Sequence, residues 1–268
     1  LESQLGRYNL GQTVVKEPEK LPCHVLADAK VTWLHGEEVG VATTVGDDGL
    51  LGASVALGAD TANVTQASQH FKGEALHRNP DYLPETVTTD GWEATQQAWR
   101  NRFPLMVISA CFLHTVITIR ERGKHRKATF RQRSQKVWDV SRAGDADTFR
   151  ANAAAFLAWA ETNTTGAVLE AVRKRSSKGD RLVLANTHPR AHRTSPMLDR
   201  HMQAMARWRD SSRFFHGHWT AAERSIRAWA LLYDFGPYVR EPVSAKPLFD
   251  RHIRSTVLSP MRTGCTMC

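Results

Sequence analysis

Glu38–Leu57, EVGVATTVGDDGLLGASVAL, is the stretch whose reading decides the fold. Two runs rich in β-branched and small apolar residues flank Gly46-Asp47-Asp48-Gly49. Asp-Gly between such runs is a strong hairpin signal, because both residues accept the positive φ of a tight turn. Working toward the N-terminus, His35-Gly36 makes an earlier turn, and His24-Val25-Leu26-Ala27 is a short apolar run ended by Asp28. Three consecutive antiparallel strands follow. In the other direction, Asn63 to Leu76 carries Val64, Ala67, Phe71 and Ala75 at helical spacing and stops at Asn79-Pro80. Thr86-Val87-Thr88-Thr89 reads as a strand running into Asp90-Gly91, Trp92 to Trp99 as a helix, and Leu105-Met106-Val107-Ile108 as a strand buried on both faces.

The resulting order, β-β-β-α-β-α-β, matches the ribonuclease H-like core, an α/β fold. No strand pattern follows residue 114. Asp147 to Arg173 reads as largely helical, with Phe149, Ala153, Phe156, Leu157 and Ala160 on one face and a break near 163–166. Ser195-Pro196 pairs a hydroxyl cap with proline at the first helical position, opening a helix through Met197 to Trp208. Thr220 and Glu223 have capping-box spacing and open a helix to about Tyr233. The expected organisation is a linker or remnant of a preceding region over 1–22, a core over 23–114, a basic helical insertion over 115–194, returning helices over 195–236 and a poorly defined tail over 237–268.

Charge is unevenly spread over the 268 residues. The whole chain is +9, yet residues 1–100 hold 7 basic and 14 acidic side chains, against 29 and 13 over 101–268. Arg120, Arg122, Lys124, Arg126, Lys127, Arg131, Arg133 and Lys136 are opposed only by Glu121 within their run, and Arg173 to Arg193 adds seven more basic residues against Asp180. Such density suits phosphate neutralisation and salt-dependent DNA binding. Trp138, Trp159, Trp208 and Trp219 read as helix-packing residues, with stacking on an unpaired base as the alternative. No apolar stretch reaches membrane-span length, and no secretory leader pattern opens the chain, so a cytoplasmic, nucleoid-associated location and no membrane partner are expected. Four scattered cysteines are expected to be reduced.

Asp28 and Asp90 end strands that are neighbours in the inferred core. Two carboxylates meeting at one sheet edge suit Mg²⁺ or Mn²⁺, hard cations that leave positions open for phosphate oxygens. Leu26-Ala27-Asp28-Ala29-Lys30, Thr89-Asp90-Gly91-Trp92, Cys111-Phe112-Leu113-His114 and Arg193-Thr194-Ser195-Pro196-Met197-Leu198-Asp199-Arg200 together resemble, in that order, the DDE/D transposases of bacterial insertion sequences. The likeness is greatest to the mutator-like branch, spans about residues 23–235 and includes Arg227 to Tyr233. It implies that Asp28, Asp90 and Asp199 are catalytic acids holding a two-metal Mg²⁺ or Mn²⁺ centre, with Glu223 as the alternative third acid. It further implies strand cleavage and strand transfer at insertion-sequence ends, with terminal inverted repeats and target DNA as partners and a homo-oligomer assembled on DNA.

In that family the Cys-x-x-His pair, here Cys111 and His114, supports the active site structurally. The competing reading is half a zinc site completed by His188 and His192 or by Cys265 and Cys268. His216-Gly217-His218 reads as a surface turn. Ala29 and Pro196 depart from the family pattern, which keeps a second function in view, an inactive or domesticated relic that only binds DNA. A cellular ribonuclease H-like nuclease is the third.

Overall fold

The structure, a computed structural model, describes residues 2–8, 21–47, 49–123, 127–211, 215 and 217–236. The expected tail, Cys265, Cys268, His216, Lys124 and Arg126 lie outside the described residues, as does the Lys127 side chain. The protein is α/β. Its mixed five-stranded sheet has the order β3-β2-β1-β4-β5, from β1 (His24–Leu34), β2 (Glu37–Gly46), β3 (Gly49–Ala56), β4 (Thr86–Thr89) and β5 (Val107–Ala110). The helices are α1 (Glu2–Leu5), α2 (Thr61–Arg78), α3 (Glu93–Arg102), α4 (Phe112–Arg122), α5 (Lys127–Ser141), α6 (Ala146–Asn163), α7 (Ala167–Ser176), α8 (Gly179–Thr187), α9 (Pro196–Ser211) and α10 (Trp219–Phe235). Two compact units form: one from the residues up to Thr86, Trp92–Met106 and those from Pro196 on, the other from Val87–Gly91 and Val107–Ser195.

In the first unit β1, β2 and β3 are antiparallel, with Leu34 opposite Glu37 and Gly46 opposite Gly49. The expected turns hold these registers: His35 and Gly36 have φ of 53° and 81°, and Asp47 has φ of 49°. Strand β1 is longer than the expected run and does not end at Asp28, which sits inside it opposite Thr43. The extension has a simple cause. Val31-Thr32-Trp33-Leu34 alternates exposed and buried positions, the period-2 pattern of a half-buried strand. Asp60 caps α2 by accepting from the Ala62 and Asn63 amides at 2.9 and 3.1 Å. Beneath α2 and α3, Phe71, Trp99 and Phe103 gather with ring centres 5.6 to 6.4 Å apart, and Tyr82 donates to the Pro22 carbonyl at 2.7 Å. Each such ring buried stabilises by roughly 1.5–3 kcal/mol.

The outer strand β3 is covered by α10. Leu50 N–H donates to Asp234 Oδ2 at 2.9 Å, and Val55 N–H donates to Glu223 Oε2 at 2.6 Å. Two acidic side chains thus take edge amides that no further strand among the described residues pairs. The expected capping box does not form. Helix α10 starts at Trp219 after His218, with no side-chain cap, which moves Thr220 and Glu223 two positions deeper into the helix. α1 packs on α10, and α9 packs on β1 and β2.

In the second unit β5 is displaced from its expected position. Leu105 is 81% exposed and Met106 N–H closes a turn onto the Phe103 carbonyl, so the strand begins only at Val107. Apolar character alone does not distinguish strand from the turn that follows Pro104. The helices α4 to α8 bury Phe112, Val137, Phe149, Phe156, Val172 and Leu182 together. Asp145 caps α6 through the Asp147 and Thr148 amides at 2.9 and 2.8 Å. The break between α6 and α7 falls at 164–166, where Gly166 takes φ of 62°, a value costly for any residue with a Cβ.

Candidate functional site

Asp28 lies within β1, half-buried, and its Oδ1 accepts from the Ala29 amide at 2.8 Å. Asp90 directly follows β4, the strand next to β1 in the sheet, and is also half-buried. The chain turns sharply after it at Gly91, whose φ of 103° excludes most side chains, and Lys178 Nζ lies 3.3 Å from where a Cβ would stand. Asp199 is a half-buried carboxylate in the first turn of α9, the helix that packs on β1 and β2. Carboxylate oxygens on partly exposed side chains are the donor chemistry that Mg²⁺ or Mn²⁺ takes. Among the described residues, no three His, Cys, Asp or Glu side chains are gathered into a group that would hold a metal ion. Asp28 and Asp199 belong to the first unit and Asp90 to the second.

Glu223 is occupied elsewhere. Its Oε2 takes the Val55 amide of β3 and its Oε1 takes Arg227 Nη2 at 3.0 Å, with His70 Nε2 at 4.0 Å. Burial holds the His70 imidazole below its ordinary value, against the opposing pull of the Glu223 carboxylate.

The Cys-x-x-His pair is brought together by local geometry. Cys111 leaves β5 as the residue before α4, and three positions along the first helical turn stands His114. Between them comes Ser195, whose Oγ donates to Cys111 Sγ at 3.2 Å and lies 3.4 Å from His114 Nδ1. Burial pushes the Cys111 thiol up, but its hydrogen bonds to His114 and Ser195 outweigh this and leave it below the ordinary thiol value. The same segment is tied down by its backbone. Arg193 O accepts from the Phe112 amide at 3.0 Å, and His192 O accepts from Thr88 Oγ1 at 2.7 Å. The residues ahead of α9 are therefore stitched to the ends of β4 and β5 within the second unit. Composition offered no signal that Ser195 would serve the pair; its only legible role was as a helix cap.

The basic side chains divide by burial. Arg120, Arg122 and Arg131 are exposed, and Lys136 is half-buried with its ammonium 5.8 Å from the Trp159 ring centre. Arg133 is only 1% exposed: its Nη2 donates to the Gly123 carbonyl at 3.0 Å and its guanidinium stands 5.5 Å from the Phe130 ring centre. It closes the end of α4 and is not a surface contact for phosphate, a correction to the charge-run reading. Arg175 is buried as well, and Arg193 donates to the Ala143 carbonyl at 3.2 Å. No described helix is long and apolar enough to cross a membrane. Trp208 packs against Phe215 and Trp229 at 6.4 and 5.9 Å, a helix-packing role, while Trp138 stays 39% exposed. No model of a known protein family matches the sequence, and no curated protein matches it either.

Proposed function

We propose that the chain is the catalytic domain of a DDE/D-type transposase of a bacterial insertion sequence, with a ribonuclease H-like core and Asp28, Asp90 and Asp199 as its metal-holding acids. One observation carries the reading: the strand order β3-β2-β1-β4-β5, with α2 and α3 as the crossovers, sets Asp28 on β1 and Asp90 at the end of the adjoining strand β4. The third acid follows from the helices. α9 packs on β1, whereas the Glu223 carboxylate is engaged by the Val55 amide of the outer strand β3, which favours Asp199. Bound Mg²⁺ or Mn²⁺ would neutralise charge developing on a phosphodiester during in-line displacement. The chain's own contribution is to hold those carboxylates within β1, just past β4 and in the first turn of α9, and to set DNA against exposed Arg120, Arg122 and Arg131. The Cys111, His114 and Ser195 cluster holds the residue that directly precedes α9 in the sequence.

The test is cleavage of the terminal inverted repeat of the source element in the presence of Mg²⁺ or Mn²⁺. Asp28→Asn, Asp90→Asn and Asp199→Asn are each expected to abolish it, and cleavage that survives all three singly rejects the assignment. A second reading, a relic that binds DNA without cutting it, draws support from Ala29 and Pro196, which depart from the pattern of the family the sequence resembles. Salt-sensitive binding without metal-dependent cleavage selects it.

A further inference from the structure

The basic residues between Arg173 and Arg193 do not share one fate. Arg173 is paired to Glu161 at 3.2 Å, Arg175 is buried, and Arg193 donates to the Ala143 carbonyl. Lys178 is held in a different way, at the joint between α7 and α8. Its amide donates to the Arg175 carbonyl at 2.9 Å, and its own carbonyl accepts from the Arg181 and Leu182 amides, each at 3.1 Å. α8 is in turn fixed to the sheet: it packs on β5, where Ser109 Oγ donates to the Arg181 carbonyl at 3.4 Å. The Lys178 backbone is thus set by two helices and, through α8, by the strand beside β4.

From there the side chain reaches the end of β4. Its Nζ stands 3.3 Å from the point that a Cβ on Gly91 would occupy, directly after Asp90. Glycine at 91 therefore does two things. It takes the φ of 103°, and it leaves space for the ammonium where a methyl group would make a tighter than ordinary contact. Asp90, Gly91 and Lys178 are each partly exposed and belong to the same unit, so a strand of DNA can reach all three. The ammonium makes no hydrogen bond or ion pair among the described residues, and the exposed Asp180 two positions on does not engage it. Its donors are left for an anion from outside the chain.

We propose that Lys178 is a substrate-binding residue of the helical insertion, its ammonium taking a phosphate oxygen of the DNA strand that enters at Asp90. The identity of the anion rests on the transposase reading; the placement of the cation does not. An ammonium is a compact point charge with rotatable donors, suited to one phosphate oxygen rather than to a planar, two-pronged partner. Exposed Arg120, Arg122 and Arg131 supply general affinity. Lys178 fixes which phosphate lies at the acid, because phosphate contacts set the register of a protein on its duplex.

Fluorescence anisotropy of the full chain on duplex DNA carrying the terminal repeat of the source element, with single methylphosphonates stepped along the strand, tests this. Lys178→Met is expected to lower the slope of log K against log salt by about 0.9, one phosphate, with Tm unchanged, and Lys178→Arg to keep the slope. One methylphosphonate is expected to weaken the native chain about tenfold and Lys178→Met not at all. Where the DNA is cut, that phosphate is expected at the cleaved bond or next to it. A slope unchanged by Lys178→Met, equal methylphosphonate effects in both proteins at every position, a mapped phosphate remote from the cleaved bond, or no DNA binding overturns the inference. A lower Tm with the slope intact overturns it in favour of a structural role. Cleavage that survives the three Asp variants rejects the transposase reading separately, and the slope and methylphosphonate measurements then still decide whether Lys178 holds a phosphate.

Discussion

Asp234 is a buried acid whose ionisation bears on the stability of the folded chain. It is 1% exposed, its Oδ2 holds the Leu50 amide, and burial pushes its carboxyl up from the ordinary 3.8 to about 8. A folded state that holds a proton more tightly than the unfolded chain is most stable below the unfolded value and loses that contribution as pH rises through the folded one. Stability is therefore expected to fall between about pH 4 and pH 8, at no more than about 1.4 kcal/mol per pH unit from this group. Asp234→Asn, which keeps the oxygen facing Leu50, should flatten that slope in urea unfolding measured across the range. An unchanged slope would place the ionisation elsewhere. Arg133 separates stability from binding at the same scale. Arg133→Ala is expected to destabilise by about 2–3 kcal/mol, through loss of its bond to Gly123 O, without altering the salt dependence of DNA binding. Arg131→Ala, at an exposed position, should do the opposite.

At the scale of elements, α10 does for β3 what another strand would do. Glu223→Ala leaves the Val55 amide without its acceptor and Arg227 with His70 alone, and is expected to cost about 1–3 kcal/mol of unfolding free energy. Asp199→Asn is expected to change stability by less than about 1 kcal/mol, so chemical denaturation of the two variants distinguishes a structural acid from a candidate catalytic one. Legibility in the sequence also divides at this scale. Hairpins are legible because turn chemistry is local: His35-Gly36 and Asp47 need positive φ, and few residues supply it. The break at Gly166 is legible for the same reason. What depends on a distant partner is not. Glu223 has capping-box spacing, yet the amide it serves lies on β3; Ser195 looks like a cap, yet its hydroxyl meets a cysteine 84 residues earlier. Arg133 and Arg175 look like surface cations when counted along the chain, because charge counts carry no information about burial. Of the candidate site, the position of Asp90 at the end of β4 is readable. Asp28 reads as a strand terminus only because the apolar run stops there, whereas the strand continues to Leu34 by alternation.

For the molecule as a whole, the +9 charge overstates the basic surface that the proposed DNA contact could use, since Arg133 and Arg175 are buried. Replacing Arg120, Arg122 and Arg131 together by alanine is expected to reduce the slope of log K against log salt by about 0.9 for each phosphate no longer neutralised. Fluorescence anisotropy with duplex DNA between 50 and 200 mM salt, as a rough working range, reads this directly. A slope unchanged by the triple variant would remove this face from the DNA-binding reading. The cover that α10 places on β3 has a further consequence, for solubility. With its Leu50 and Val55 amides held by Asp234 and Glu223 and α10 packed on it, the outer strand is a poorer template for a second copy than a bare edge. A chain cut before Trp219 uncovers that template and is expected to leave solution as thioflavin-positive, β-rich aggregate, while the uncut chain stays monodisperse under the same conditions.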